Sequence, residues 1–212
     1  KFPRVDAFVK GRKLTEEKIF ELKNKRSKFS KCIFFFCSSA GEFEQAMPLI
    51  DRCKATHFVL VIFFSPSGQR FFKTQNHDFA TIMCPWDKQE TWQKLFQALR
   101  PSHTIVVRYE FWPAFLSVAK KNSILWLING GAPFEGQESW FRSKIKKIFI
   151  RFFHHLFVVD ETCLDYFFKH FQCNPQTISV VGDTKYDRAF ERKISSRVNV
   201  INQVLPPAQK KR

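Results

Sequence analysis

Short apolar segments alternate with segments of helical period along most of the chain. Each apolar segment is rich in Phe, Ile or Val at nearly every position, which is typical of a strand covered on both faces in a parallel sheet. The predicted strands are Cys32–Cys37, Phe58–Phe64, Thr104–Tyr109, Ile124–Ile128, Leu156–Val159 and Thr177–Val181. The predicted helices are Thr15–Asn24, Glu42–Arg52, Lys88–Leu99, Ala114–Lys121, Glu138–His155 and Cys163–Phe171. This alternation predicts an α/β fold, a Rossmann-like doubly wound parallel sheet with right-handed crossovers.

Composition indicates a folded domain with an anionic partner. The chain has 212 residues, of which 44% are hydrophobic, so it can bury a substantial core and is not disordered throughout. It carries 35 Lys and Arg residues against 19 Asp and Glu residues, a formal net charge of +16. Such an excess is typical of proteins that bind nucleic acid, a phosphorylated substrate or an acidic membrane surface.

Several further features of the sequence exclude particular classes of protein. No apolar run reaches the ~18 residues that a membrane-spanning helix requires. The six cysteines have no metal-ligand spacing, which predicts free thiols in a reducing compartment and no structural zinc. No Walker A motif and no Gly-x-Gly-x-x-Gly fingerprint occurs, so neither a P-loop enzyme nor an ordinary dinucleotide fold is supported.

Polar and glycine residues follow the predicted strands at the point where each strand ends. Because ligands of such folds bind outside the carboxyl ends of the strands, these residues predict a binding site along one edge of the sheet. The segments concerned are Ser38–Glu42, Ser65–Gly68, Arg108–Pro113, Asn129–Gly131 and Gly182–Asp187.

Glu42 has two possible roles in this edge. Ser39 and Glu42 have the spacing of a capping box, in which each side chain binds a free backbone N–H at the start of a helix. Alternatively Glu42 is a general base, with Gly41 allowing a substrate to approach the backbone closely. A helix N-terminus stabilises a carboxylate, so we expect Glu42 to stay ionised near neutral pH.

Two further segments are open to a structural and a functional interpretation. Ser65-Pro66-Ser67-Gly68 is either a turn with a helix cap or a site for an anion or a sugar hydroxyl. Glu110 is either an ion-pair partner of a base such as Arg108 or, together with Glu42, a group that recognises a hydroxyl.

The predicted helix Glu138–His155 has an apolar face and a basic face. The basic face holds Lys144, Lys147, Arg151 and His155. It is either a solvated face of a helix packed on the sheet or a surface that contacts a membrane.

Four motifs in order resemble the N-terminal half of the Kdo transferases, where Kdo is 3-deoxy-D-manno-octulosonic acid. Gly11-Arg12-Lys13 near the start is similar to that family as well. The motifs are Gly41-Glu42-Phe43-Glu44-Gln45-Ala46, Phe63-Phe64-Ser65-Pro66-Ser67-Gly68, Tyr109-Glu110-Phe111-Trp112-Pro113 and Gly182-Asp183-Thr184-Lys185-Tyr186-Asp187. The loop Asn129–Pro133 departs from the family pattern.

The resemblance implies an inverting glycosyltransferase of the two-lobed GT-B type. Such an enzyme moves Kdo from CMP-Kdo to a lipid A precursor in lipopolysaccharide biosynthesis, as a peripheral protein on the cytoplasmic side of the inner membrane. It implies no metal and no cofactor, and Glu42 as the catalytic base. The residues then expected to bind substrate are Ser39, Gly41, Ser65, Ser67, Gly68, Glu110 and Lys185.

The same resemblance suggests a division of the chain. Residues 1–31 form a basic N-terminal segment with one helix, residues 32–200 form the acceptor-binding lobe, and residues 201–212 begin an interlobe linker. We expect the nucleotide-binding lobe to lie outside these 212 residues, and we therefore expect the chain alone to fold without transferring Kdo. Two alternatives are a lobe that serves another donor sugar and a basic nucleic-acid-binding domain, although no nucleic-acid-binding signature occurs.

Overall fold

A computed structural model describes residues 12–75, 77–108, 110–132 and 146–204, with side chains as far as residue 194. The strands are β1 (Lys31–Cys37), β2 (His57–Phe63), β3 (Ala80–Met83), β4 (His103–Val107), β5 (Ile124–Gly130), β6 (His155–Val158) and β7 (Ile178–Val180). The helices are α1 (Glu16–Arg26), α2 (Ala40–Cys53), α3 (Pro66–Lys73), α4 (Gln89–Leu99), α5 (Pro113–Asn122), α6 (Glu161–Phe171) and α7 (Thr184–Val204). A helical turn at 146–150 and a 3₁₀ turn at Pro175–Thr177 complete the described elements.

The seven strands form one parallel sheet in the order β3-β2-β1-β4-β5-β6-β7. The chain runs outward from β1 to β3 and then returns to the other side of β1 at β4. The strand order therefore reverses between β1 and β4, where the connections leave a crevice at the carboxyl ends of the strands. This arrangement confirms the predicted Rossmann-like doubly wound parallel sheet.

Helices cover both faces of the sheet because alternate strand residues bury apolar side chains on opposite sides. Phe34 and Phe36 face one core together with residues of α1, α4, α5 and α6. Phe35 faces the other core, which includes Phe43 and Ile50 of α2. The predicted segment 1–31 is represented here by α1, whose Leu22 is buried in the first of these cores.

The structure corrects several predicted elements. It adds β3 and α7, which the sequence pattern did not indicate, and α3, of which the pattern indicated only a cap at Ser65. The predicted helix Glu138–His155 is wrong at its end, because residues 151–154 are not helical and His155 opens β6; residues 138–145 lie outside the described part. Helix α7 also continues through residues 201–204 of the predicted linker, and the rest of that linker lies outside the described residues.

The six cysteines are free. Within the described residues, the helices are too short or too polar to cross a bilayer.

Candidate functional site

The loop between β1 and α2 brings two serines and a glutamate to the crevice. Ser39 is the N-cap of α2, and its Oγ accepts a hydrogen bond of 3.3 Å from the backbone N–H of Glu42. The carboxylate of Glu42 turns back and accepts a hydrogen bond from the backbone N–H of Ser38, one residue before the position expected in a capping box. Glu42 therefore helps to close the first turn of α2 and also lines the crevice.

Burial decides the charge state of Glu42. Loss of water around the carboxylate is the main cause that raises its pKa from 4.5 to about 7, and the nearby Glu110 carboxylate raises it further. The Ser38 and Ser39 backbone N–H groups and the Arg108 guanidinium act in the opposite direction. The expectation that the helix N-terminus keeps Glu42 fully ionised near neutral pH is thus wrong, because desolvation outweighs the helix terminus.

Glu110 is tied to Glu42 through Ser38. One carboxylate oxygen of Glu110 accepts a hydrogen bond from Ser38 Oγ, and the other accepts one of 2.8 Å from Trp112 Nε1. The predicted alternative, an ion pair of Glu110 with Arg108, is absent from the described residues. Two carboxylates therefore share one serine, whose side chain binds Glu110 and whose backbone binds Glu42.

An aromatic wall supports Glu110 from behind. Trp112 packs against Phe64 with ring centroids 4.8 Å apart, and the guanidinium of Arg12 lies over Phe64 at 4.3 Å. Arg12 is buried and also lies 5.3 Å from the ring of Trp86. These contacts fix the indole, and the indole fixes one oxygen of Glu110.

Asp87 holds the start of α5, which carries this wall. Trp112 is the N-cap of α5 but provides no side-chain cap. Asp87, 27 residues earlier in the chain, accepts hydrogen bonds from the backbone N–H groups of Ala114 and Phe115 at 3.0 and 2.9 Å. A remote carboxylate thus satisfies the free donors of this helix and positions the Glu110–Trp112 turn.

The segment Ser65–Gly68 adjoins the same loop but lies beside the crevice. Ser65 is the N-cap of α3, its N–H donates to the Ser38 carbonyl at 2.9 Å, and its hydroxyl lies 2.7 Å from that of Ser67. Gly68 is buried, and a Cβ there would lie 2.6 Å from Phe63 Cδ1 and 3.3 Å from the Ser39 carbonyl carbon. Gly68 therefore allows α3 to pack closely against the β1–α2 loop.

Helix α7 closes the other side of the crevice. Asn129, at the end of β5 with a left-handed φ of 54°, donates from Nδ2 to Thr184 Oγ1 at 2.7 Å and accepts from the Thr184 N–H at 3.3 Å. Asp183 accepts from the Lys185 N–H at 2.8 Å and from Gln45 Nε2 of α2 at 3.3 Å. These bonds tie the start of α7 to β5 and α2.

A cavity of about 460 Å³ lies between α2 and α7, within the ~300–1,000 Å³ typical of small-molecule sites. We call it the Glu42 cavity. Its lining residues are Ser39, Gly41, Glu42, Glu44, Gln45, Arg108, Lys185, Arg188, Ala189 and Arg192.

The structure thus brings four of the predicted site residues, Ser39, Gly41, Glu42 and Lys185, into one cavity. Glu110 reaches it through Ser38, while Ser65, Ser67 and Gly68 support the loop beside it. Sequence reasoning missed Glu44, Arg188 and Arg192 as site residues, and it placed Ser38 at the edge of the sheet without giving it a role. Arg188 and Arg192 follow the Gly182–Asp187 motif and are four residues apart. With a helix predicted there, this spacing would have placed both side chains on one helix face.

Comparison with known proteins identifies the family. The family described as 3-deoxy-D-manno-octulosonic-acid transferase (kdotransferase) matches residues 12–188, which is most of the chain. The chain belongs to the Kdo transferase family. A 3-deoxy-D-manno-octulosonic acid transferase from Aquifex aeolicus is 31% identical over 90 residues, which are 42% of this chain and 25% of the relative.

Solved structures give the same fold at low identity. UDP-GlcNAc 2-epimerase from Methanocaldococcus jannaschii is similar with a TM-score of 0.60 at 14% identity, over 82% of this chain and 53% of the epimerase. The Neisseria meningitidis UDP-GlcNAc 2-epimerase bound to UDP-GlcNAc has a TM-score of 0.57 at 14% identity, over 85% and 55%. This chain therefore spans about half the length of these structural relatives.

Proposed function

We propose that this chain is the acceptor-binding lobe of a GT-B glycosyltransferase that moves Kdo from CMP-Kdo to a lipid A precursor, with Glu42 as the general base. The observation that carries this proposal is the position of Glu42 in a cavity at the reversal of strand order, with a pKa of about 7. A base is most effective when its pKa lies near the working pH, because it is then both available and strong enough. Membership of the Kdo transferase family supports the choice of the transferred sugar.

In the proposed reaction Glu42 accepts the proton of the acceptor sugar hydroxyl. The hydroxyl oxygen forms a bond to the anomeric carbon of Kdo, and the bond from that carbon to the CMP oxygen breaks with inversion of configuration. CMP leaves with the bonding electron pair. Such positioned proton transfer contributes ~10²–10⁴-fold to the rate.

The described residues provide the positioning for this step. Ser38 holds the Glu42 carboxylate by its backbone N–H, and Glu110 holds the Ser38 hydroxyl. Gly41 is exposed beside Glu42, and a Cβ on it would come no closer than 3.9 Å to Ser39 Oγ. The open backbone at Gly41 leaves room for the acceptor sugar next to the base.

The acceptor is a lipid, and a basic, aromatic surface near β6 is suited to a membrane that contains anionic lipids. We call the segment Lys146–Phe152 the basic ridge. In it Ile148 is 61% exposed between Lys147 and Arg151, and Lys120 of α5 lies 5.4 Å from the Phe152 ring. Lysines beside exposed apolar side chains favour peripheral binding to anionic bilayers.

The test is transfer in a protein that carries this lobe together with a CMP-Kdo-binding lobe. It is incubated with a lipid A precursor and either CMP-Kdo or UDP-N-acetylglucosamine, and the mass of the lipid product is measured by mass spectrometry. We expect one or more Kdo units to be added from CMP-Kdo alone and no turnover by the 212-residue chain by itself. Transfer from UDP-N-acetylglucosamine in place of CMP-Kdo would refute the proposed donor.

A further inference from the structure

Helix α7 exposes a stripe of apolar side chains on one side. Tyr186 is 72% exposed, Phe190 is 65% exposed and Ile194 is 48% exposed, and we call these three residues the α7 stripe. They are four residues apart, so a helix of 3.6 residues per turn places them on one side. The sequence of α7 continues the same spacing with Val198 and Ile201. The stripe has the pattern of the core-facing side of an amphipathic helix, yet its described part is exposed to solvent.

The other helices bury apolar side chains in a way that α7 does not. Each of α1 to α6 places at least one apolar side chain in one of the two cores or against it, such as Leu22 of α1, Phe72 of α3 and Phe167 of α6. None of the described side chains of α7, which are those of residues 184–194, belongs to either core. In its described part, α7 therefore lacks the apolar packing that ordinarily holds a helix on a sheet.

Polar bonds hold α7 to the lobe instead. Oε2 of Glu44 in α2 accepts from Arg188 Nε at 3.0 Å and from Arg192 Nη2. Asn129 and Thr184 exchange two hydrogen bonds, the Asn129–Thr184 clamp. The residues of α7 that line the Glu42 cavity lie on a different side of the helix from the stripe, and they are Lys185, Arg188, Ala189 and Arg192. Helix α7 thus has a polar side toward this lobe and an apolar side that meets no partner among the described residues.

We propose that the α7 stripe is the surface on which the donor lobe of the enzyme docks, so that one helix joins the wall of the Glu42 cavity to the second lobe. This inference rests on the proposed function, in which a CMP-Kdo-binding lobe completes the enzyme and follows α7 in the chain. The matched parts of the two epimerases are 53% and 55% of their chains, so each continues well beyond the part that this chain resembles. A donor lobe has to reach Glu42, and α7 forms one wall of the cavity that Glu42 lines.

The charges beside the stripe favour a protein partner over a lipid surface. Asp187 and Glu191 each directly follow a residue of the stripe and lie along one margin of it. Carboxylates at that margin are repelled by an anionic bilayer, whereas a protein surface can match them with basic side chains. An exposed apolar patch with a charged rim is typical of a protein–protein contact.

Docking at the stripe also sets the shape of the Glu42 cavity. Lys185 and Arg188 are carried by the same helix as the stripe, so a lobe that packs on the stripe fixes where these side chains stand. Without that lobe, the described contacts that hold this wall are the Glu44 bonds, the Asn129–Thr184 clamp and the bond of Gln45 to Asp183. Arrival of the donor lobe therefore completes the cavity in which the base works, as closure of two lobes does in other enzymes.

Hydrogen exchange of the α7 backbone amides tests the proposal without any substrate. It is measured in the 212-residue chain and in a protein that carries this lobe together with a CMP-Kdo-binding lobe. We expect the α7 amides to exchange at least ~10-fold more slowly in the two-lobe protein, because opening the helix then also exposes the buried stripe. Equal exchange of α7 in the two proteins overturns the proposal.

Phe190→Ser and Phe20→Ser are a matched pair of variants. Both phenylalanines lie in helices and are 65% exposed, and Phe and Ser have similar helix propensities. In the two-lobe protein, Phe190→Ser should speed the exchange of α7 at least ~10-fold, and Phe20→Ser should leave it within ~2-fold. In the 212-residue chain, both variants should keep the melting temperature of the wild type, which shows that they fold. An equal effect of the two variants on α7 in the two-lobe protein overturns the site, and Tyr186→Ser repeats the test at a second position of the stripe.

Two other occupants of the stripe give different results. If two copies of this chain pair through it, sedimentation shows a dimer of the 212-residue chain that Phe190→Ser dissociates. If the stripe binds lipid, Phe190→Ser weakens binding of the chain to phosphatidylglycerol vesicles more than Phe20→Ser does. Either result overturns the donor lobe as the occupant.

Failure of this proposal and failure of the proposed function can be told apart. Slow exchange of α7 that is lost in Phe190→Ser, in a two-lobe protein that transfers no Kdo, supports the docking surface and refutes the proposed function. Kdo transfer by a two-lobe protein in which α7 exchanges as fast as in the 212-residue chain overturns the docking surface alone.

Discussion

Two opposing effects set the pKa of Glu42. Burial and the Glu110 charge favour its neutral form, while the N–H groups at the start of α2 favour the carboxylate. The spacing Ser-x-x-Glu correctly predicted that Ser39 and Glu42 bind backbone N–H groups at the start of α2. It could not indicate that the Glu42 carboxylate is buried. Burial is a tertiary property, and the cavity that Glu42 lines is bounded on its other side by α7, about 140 residues later in the chain.

The raised pKa of Glu42 affects stability in a defined pH range. Because the folded protein binds this proton more tightly than the unfolded chain does, the contribution to stability is complete below pH 4.5 and is lost as the pH rises through about 7. Glu42→Gln lacks this loss. We therefore expect the free energy of unfolding of the variant, relative to the wild type, to be higher at about pH 8 than at about pH 5 in urea titrations. A difference that stays constant or falls with pH contradicts the raised pKa.

Glu110 is expected to tune Glu42 rather than to bind the reacting hydroxyl itself. In the enzyme with a donor lobe, Glu110→Gln keeps an acceptor for Ser38 but removes the charge that raises the pKa of Glu42. We expect the acid limb of the kcat/KM profile to move to lower pH.

The control for this shift is Trp112→Phe. It removes the Nε1 bond to Glu110 and leaves the charge, so the acid limb should stay in place even though the rate falls. An acid limb that moves equally in both variants identifies a general loss of structure instead.

At the scale of elements, the sequence predicted those that the hydrophobic pattern alone determines. Strands β1, β2 and β4 are nearly uninterrupted apolar runs, and each prediction lies within two residues of the observed bounds. The pattern missed β3, which has only four residues, and α7, whose described side chains are all exposed or half-buried, so that no buried apolar face marks it. These elements form through tertiary contacts, such as the Asn129–Thr184 clamp, that a local pattern does not contain.

Gly68 and Gly41, both in family motifs, are expected to have different roles: Gly68 in packing and Gly41 in acceptor binding. Gly68→Ala places a Cβ 2.6 Å from Phe63 Cδ1, and we expect it to destabilise the chain by ~1–3 kcal/mol, as overpacking does. Gly41→Ala meets nothing closer than 3.9 Å and lies in the first turn of α2, so its stability should be equal to or above that of the wild type.

The same pair gives a functional contrast that thermal melts and acceptor KM values can measure. Gly41→Ala should fold normally yet raise the acceptor KM, because Gly41 lines the cavity proposed for the sugar and an added methyl group reduces its space. A stable Gly41→Ala enzyme with an unchanged KM shows that the acceptor does not approach this backbone.

At the scale of the whole molecule, the strand order places the site, and a different surface, the basic ridge, is the one proposed to bind the membrane. The reversal between β1 and β4 brings the Glu42 loop and the Glu110 turn together, although 68 residues separate the two glutamates. The basic ridge directly precedes β6, and the Glu42 cavity is lined by other residues. We propose that the ridge holds the lobe on a lipid surface.

Binding to lipid vesicles checks this arrangement. The chain should bind vesicles of phosphatidylglycerol and phosphatidylcholine, and the affinity should fall with salt and be lost on pure phosphatidylcholine. The double variant Lys147→Gln, Arg151→Gln should weaken binding by ~10-fold or more, at ~1 kcal/mol for each charge near the surface. The double variant Lys25→Gln, Lys28→Gln, with the same change of net charge on the β2–β3 side, should weaken it less. Equal weakening by both pairs indicates binding by net charge alone.

The assignment of Glu42 as the base is tested most directly by the pH profile of Kdo transfer in wild type and Glu42→Gln, both with a donor lobe. The wild type should show kcat/KM rising with pH to a plateau above about 7, where Glu42 is ionised. Glu42→Gln should lose at least ~10²-fold of kcat with the acid limb abolished, while its cooperative unfolding is retained. A folded Glu42→Gln enzyme that transfers Kdo at a near-normal rate with the same acid limb would show that Glu42 only caps α2 and that another group takes the proton.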